Sequence, residues 1–164
     1  MKYDFRVNMD MIAGLPGETL RTFKKSIDTL LELSPDNITI HTLSIKRGSV
    51  LAGQMPNHSE IEKMVDYAYE KLSSDEYRPY YMYRQKNQLG GLENVGYCKD
   101  TTACIFNIDS MEETCSIIAC GANAISKRIY HNENKIERQA NVKFLQDYIS
   151  RVDEMIYDKK ILFK

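Results

Sequence analysis

The chain has 164 residues, of which 43% are hydrophobic and 27% charged, with a formal net charge of −1. This balance fits one folded domain, or a small domain plus a piece of another, and excludes a disordered tail. It also offers no global basic field for nucleic acid, no apolar run approaching the about 18 residues of a membrane span and no secretory pattern in MKYDFRVNMD, which points to the cytoplasm.

Residues 3–12 read as a strand. Asn8 and Asp10 are two apart and share one face, while Met9, Met11 and Ala13 line the other. A buried carboxylate must be paired, so Asp10 is expected either to have a partner inside the protein or to face a ligand. Pro16-Gly17 suits the two central positions of a type II turn, and Thr19 suits a helix N-cap. Leu20, Phe23, Ile27, Leu30 and Leu31 then trace one helical face, and Pro35 stops the helix just past Leu33. The next run, NITIHTLS, alternates as a strand with Thr39 and His41 on one face.

A strand, a helix and a second strand at this spacing predict a parallel pair. Ligands of such units gather at the carboxyl ends of the strands, here 10–14 and 42–46. A lone strand histidine such as His41 is ordinarily a hydrogen-bonded structural residue.

Residues 46–59 read as a loop and a boundary. Ser59 and Glu62 have capping-box spacing and open a helix to about Leu72. YRPYYMYRQK predicts a strand with Tyr81 and Tyr83 on one face and Met82 and Arg84 on the other. Gly90-Gly91 and Gly96 read as turns. Residues 103–109 and 115–119 look like short strands, and ACGANA (119–124) like a small-residue turn that lets backbone approach a ligand closely. A hairpin at His131–Asn134 joins strands 125–130 and 135–139, and a terminal helix runs from Asn141. Cys98, Cys104, Cys115 and Cys120 lack zinc-type or cluster-type spacing and read as buried free thiols.

Chemistry is sparse in this pattern. No nucleophile–base pair, Walker loop or metal spacing is present. Tyr80, Tyr81, Tyr83 and Arg84 are suited to stack on or clamp an anionic aromatic ligand, although tyrosine-rich strands more often serve a core or an interface.

DMIAGLPGET, the amphipathic helix and SPDNITIHTLSI resemble the late part of a radical S-adenosylmethionine barrel. More specifically they resemble the oxygen-independent coproporphyrinogen III oxidase (dehydrogenase) family. YYMYRQKNQLGGLENVGYC and IIACGANAIS resemble the C-terminal region of that family, so the likeness runs from about Phe5 to Ile129. It implies an α/β fold: the last βα units of a partial (β/α)₆ barrel over residues 1–50, then a C-terminal α+β extension over 51–164.

The resemblance also implies roles. Asp10 matches an acidic residue that holds S-adenosylmethionine, and Ser44 and Ile125 match further cofactor contacts made through backbone. Tyr81, Tyr83, Arg84 and Lys86 are the substrate candidates, with Arg84 and Lys86 as partners for carboxylates. The implied reaction is oxidative decarboxylation of coproporphyrinogen III to protoporphyrinogen IX in haem biosynthesis, with a [4Fe–4S] cluster and an electron donor. The family's C-x₃-C-x₂-C cluster loop is absent from this sequence. The chain is therefore expected to be a C-terminal fragment, inactive alone, starting at an artificial Met1 and prone to self-association through exposed edges. Two alternatives stand beside it. One is a haem-trafficking relative, whose E-I-S-N-F-A segment is replaced here by YYMYRQK; the other is a non-catalytic interaction module.

Overall fold

The computed structural model describes residues 5–45, 50–51, 58–85 and 91–164. Most of the predicted 46–59 loop, together with Lys86 and Gly90, lies outside these residues. The chain forms two compact units, Met1–Ile105 and Phe106–Lys164.

In the first unit, β1 (Asn8–Ala13) leads through the Pro-Gly turn into α1 (Leu20–Leu33), which returns to β2 (Asn37–Thr42). The turn has the expected type II features: Glu18 N donates to Leu15 O at 2.9 Å, and Gly17 sits at φ 78°. Thr19 caps α1 by accepting from the Thr22 backbone N–H, and the Thr22 hydroxyl accepts from the Thr19 backbone N–H in return. Ser34, in the left-handed region, ends the helix one residue before Pro35.

β1 and β2 pair in parallel, with Asp10 opposite Thr39 and Ile12 opposite His41. After α2 (His58–Ser74), β3 (Tyr77–Tyr83) forms the far edge of the sheet, and β4 (Asn94–Lys99) inserts antiparallel between β2 and β3. Gly96 is thus a mid-strand residue rather than a turn. The order is β1-β2-β4-β3, so this one sheet carries residues from both sides of the loop.

Helices α1 and α2 cover one sheet face. Phe23 and Ile27 from α1, with Ile61, Met64, Ala68 and Leu72 from α2, pack on Ala13, Ile38, Ile40, Tyr77 and Tyr97. Hydrophobic burial holds this layer, and the Tyr77 hydroxyl is satisfied by Pro35 O at 2.5 Å. Gly14, at φ 87°, passes directly under Ile61, where a Cβ would come within 2.8 Å of its side chain. On the opposite face one rung crosses all four strands, with polar Asp10, Thr39 and Tyr81 and, between the last two, Gly96.

The second unit holds α3 (Ile105–Glu112) beyond its first residue, the hairpin of β5 (Ile125–Tyr130) and β6 (Lys135–Ala140), then α4 (Leu145–Ser150) and α5 (Val152–Leu162). Three expectations change here. Residues 105–112 are helical, not a strand, and none of them is buried. Segment 115–119 makes a single antiparallel bridge, Ile117 to Lys127. The terminal helix starts at Leu145 and breaks at Arg151, where φ −117° and ψ 23° are not helical. The four cysteines are free, but Cys98 is the one that is buried, its thiol pK pushed up chiefly by that burial, and Cys120 is exposed.

Candidate cofactor and substrate groove

The polar sheet face opens into a groove of about 370 Å³ at the carboxyl ends of β1 and β2. Asp10 and Ile12 from β1, His41, Leu43 and Ser44 from and just after β2, and Tyr83 and Gln85 from β3 and its end line it. That volume lies in the range of small-molecule sites. Strand periodicity explains part of the lining: Asp10 and His41 alternate with inward-facing residues on β1 and β2, and Tyr83 follows a register shift between Pro79 and Tyr81 in β3.

Asp10 departs from the expectation of burial. Its side chain keeps 59% of its accessible surface. It does have neighbours: Oδ1 accepts from Asn8 Nδ2 at 2.9 Å and lies 3.7 Å from His41 Nε2. No protein partner of Oδ2 is found among the described residues.

His41 is only 22% exposed and contacts Tyr83, whose hydroxyl lies 3.1 Å from Nδ1. Gln85 Nε2 donates to the same hydroxyl at 3.3 Å. Tyr81 and Tyr83 stack nearly parallel, with centroids 6.1 Å apart and planes 6° apart. Tyr81 reaches across Gly96 to Thr39, with the two hydroxyls 3.4 Å apart. Burial pushes the Tyr81 phenol up to about 12, against a smaller lowering by the Thr39 hydrogen bond. The groove therefore presents the Asp10 carboxylate and the ring of Tyr83, which Tyr81 backs by stacking.

Of the residues singled out in the sequence, Asp10, Ser44 and Tyr83 come together in this groove, and Tyr81 packs beside Tyr83. Arg84, just past β3, forms an exposed ion pair with Glu93 at 3.0 Å. Ile125 begins β5 in the second unit with its side chain exposed. Lys86 lies outside the described residues. Residue spacing did not reveal the His41–Tyr83 contact or the part played by Gly96. A glycine inside VGYC was the available signal for the latter, since a strand glycine marks a close approach of another group.

The chain is 40% identical over 162 residues to the oxygen-independent coproporphyrinogen-III oxidase-like protein HemZ of Bacillus subtilis. It is homologous to a segment of that protein. The match takes in 96% of this chain and 32% of the relative. A solved structure of Escherichia coli coproporphyrinogen III oxidase (HemN), a radical SAM enzyme, matches with a TM-score of 0.59 over 90% of this chain and 34% of that one. At 16% sequence identity, this second likeness concerns fold alone. No family model matches the chain. The chain thus spans about a third of each of these two proteins. The resemblance and the α/β fold read from DMIAGLPGET and its following strand are borne out by these matches.

The donor set does not fit an iron–sulfur cluster. Cys98 is buried in β4, and among the described residues no three His, Cys, Asp or Glu side chains are grouped to hold a metal. The groove does suit an uncharged or cationic polar ligand, because Asp10 offers it an acceptor oxygen without a protein partner among the described residues. No helix among the described residues is long and apolar enough to cross a membrane.

Proposed function

We propose that this chain supplies the acidic, aromatic side of the cofactor and substrate groove of a radical S-adenosylmethionine enzyme. The parent enzyme oxidatively decarboxylates coproporphyrinogen III to protoporphyrinogen IX in haem biosynthesis. The observation that carries this reading is the Asp10 carboxylate, open to the groove within a segment 40% identical to HemZ. S-adenosylmethionine with a [4Fe–4S] cluster supplies the one-electron chemistry of such enzymes, and the cluster's thiolates come from sequence other than this chain's.

This chain's own residues bind and orient. Asp10 accepts a hydrogen bond from the cofactor, while the Ser44 backbone contacts it. Tyr81 and Tyr83 provide the aromatic wall for a tetrapyrrole, and Arg84 and Lys86 supply cations for its propionates. Residues 1–50 form the last part of the barrel, and residues 51–164 its extension. Reductive cleavage of S-adenosylmethionine consumes one electron, so the parent enzyme takes an electron donor as partner, while the electron lost by the substrate with CO₂ passes to an acceptor; the enzyme works in the cytoplasm. The segment alone is inactive and self-associates through the β1 edge.

The test uses the full-length protein that carries this segment. Asp10→Asn should weaken S-adenosylmethionine binding about tenfold, within the range of one hydrogen bond to a charged group. Unchanged affinity overturns the assignment. Arg84→Ala should lower turnover of coproporphyrinogen III and leave reductive cleavage of S-adenosylmethionine intact; equal turnover removes Arg84 from the substrate site.

A further inference from the structure

We propose that His41 is a positioning residue that couples Tyr83 to Asp10 and keeps the Asp10 carboxylate turned towards the groove. The inference rests on reading Asp10 as the cofactor-facing carboxylate.

Donor and acceptor directions lead to it. An ionised carboxylate can only accept, so the His41 nitrogen facing Asp10 at 3.7 Å is the protonated one, Nε2. In a neutral imidazole Nδ1 is then an acceptor, which matches the Tyr83 hydroxyl 3.1 Å away. That hydroxyl already receives Gln85 Nε2 at 3.3 Å, so its own hydrogen is free to go to Nδ1. Donors therefore run one way from Gln85 to Tyr83 to His41, whose Nε2 faces Asp10 across 3.7 Å.

Asp10 Oδ1 is engaged from two sides, by Asn8 at 2.9 Å and by the longer approach of His41. With Oδ1 occupied, Oδ2 is the oxygen left for a ligand. At 3.7 Å the His41–Asp10 approach is longer than a hydrogen bond, and polar contacts in ligand-free sites often tighten when a ligand binds. Tyr83 stacks on Tyr81, so a ligand resting on the aromatic wall and one held by Asp10 touch the same chain of contacts.

A nitrogen-15 NMR measurement of the histidine side chains in this protein at mildly alkaline pH reads the coupling directly. His41 should be a single Nε2–H tautomer, and Tyr83→Phe should turn it into a mixture while the backbone spectrum keeps its dispersion. A mixed or Nδ1–H tautomer in the unsubstituted protein overturns the proposal.

The second readout is S-adenosylmethionine affinity in the full-length protein. His41→Phe and Tyr83→Phe should each weaken it about two- to tenfold, the range of one ordinary hydrogen bond. His41→Gln, which keeps a side-chain N–H, should recover part of the loss. If Asp10→Asn weakens binding and His41→Phe does not, the positioning role is wrong while the cofactor reading stands. Asp10→Asn without effect removes the cofactor reading, and with it the proposal that His41 serves a ligand.

Discussion

The ring of Tyr81 lies where a side chain on Gly96 would be. A Cβ at Gly96 would collide with the Tyr81 ring atoms, and Gly96 pairs with Tyr81 across β3 and β4. The missing side chain lets the phenol lie flat over the sheet and bring its hydroxyl to Thr39. Gly96→Ala should push the ring off the sheet and break that contact. Overpacking of this kind costs about 1–3 kcal/mol. Chemical denaturation measures the loss, and an unchanged midpoint would show that Tyr81 does not need the space.

Much of the first unit was legible in the sequence because its signals are local. The Asn8–Asp10 spacing, the Pro16-Gly17 turn, the Thr19 cap and the α1 stripe each act within a few residues. The relationships that build the groove were not legible, because they depend on strand order. β4 inserts between β2 and β3, so Gly96 meets Tyr81 only in the folded sheet. Tyr83 meets His41 across 42 residues of sequence for the same reason. The CIFNID run misled for a different reason. Its β-branched and aromatic residues suggest a strand, yet most of the run is helical, and Ile105 and Phe106 are 70% and 66% exposed.

Tyr77 and Tyr97 make the stability of the first unit sensitive to alkali. Both are buried in its core, and burial pushes each phenol up to about 12 from an ordinary value of 10.0. A pK raised by folding means that the folded state keeps the proton longer than the unfolded state does. The contribution is complete below about pH 10 and is lost as pH rises towards 12. Tyrosinate absorbance should show late-ionising phenols whose titration coincides with unfolding. Tyr77→Phe should remove one of them and also leave Pro35 O without its 2.5 Å donor. Ionisation of every tyrosine near 10, with no linked unfolding, contradicts this account.

Asn141 holds the 119–124 turn in the second unit. It is 5% exposed; Nδ2 donates to Gly121 O at 2.7 Å and to Ala119 O at 3.4 Å, and Oδ1 accepts from Lys159 at 2.5 Å. Asn141→Ala removes all three contacts. Leaving buried polar groups unsatisfied costs about 1–3 kcal/mol. Hydrogen exchange should accelerate at residues 121–127 and global stability should fall. Protection equal to that of the unsubstituted protein would place the turn's support elsewhere, for instance on the Tyr148 hydroxyl that accepts from Gly121 N at 3.0 Å.

Glu113 joins two cations in that same unit. It accepts from Arg138 at 2.5 Å and from the largely buried Lys127 at 3.4 Å, and Lys127 also donates to Ser110 O at 3.1 Å. The Arg138 hydrogen bond is the main cause holding the Glu113 carboxyl below its ordinary 4.5; burial opposes it, and Lys127 adds to it. A pK depressed by folding means that the folded state releases the proton more readily. The stabilisation is complete above about pH 4.5 and is lost as pH falls through the depressed value. Glu113→Gln should therefore flatten the acid limb of the stability profile and destabilise the unit near neutrality. The second effect has a separate cause, because it leaves the Lys127 ammonium, 9% exposed, without a counter-charge. Lys127→Met in the Glu113→Gln background distinguishes the two effects. It should recover stability at neutral pH without restoring the acid limb. A double variant as unstable as Glu113→Gln alone would mean that the buried ammonium is not what makes the single change costly.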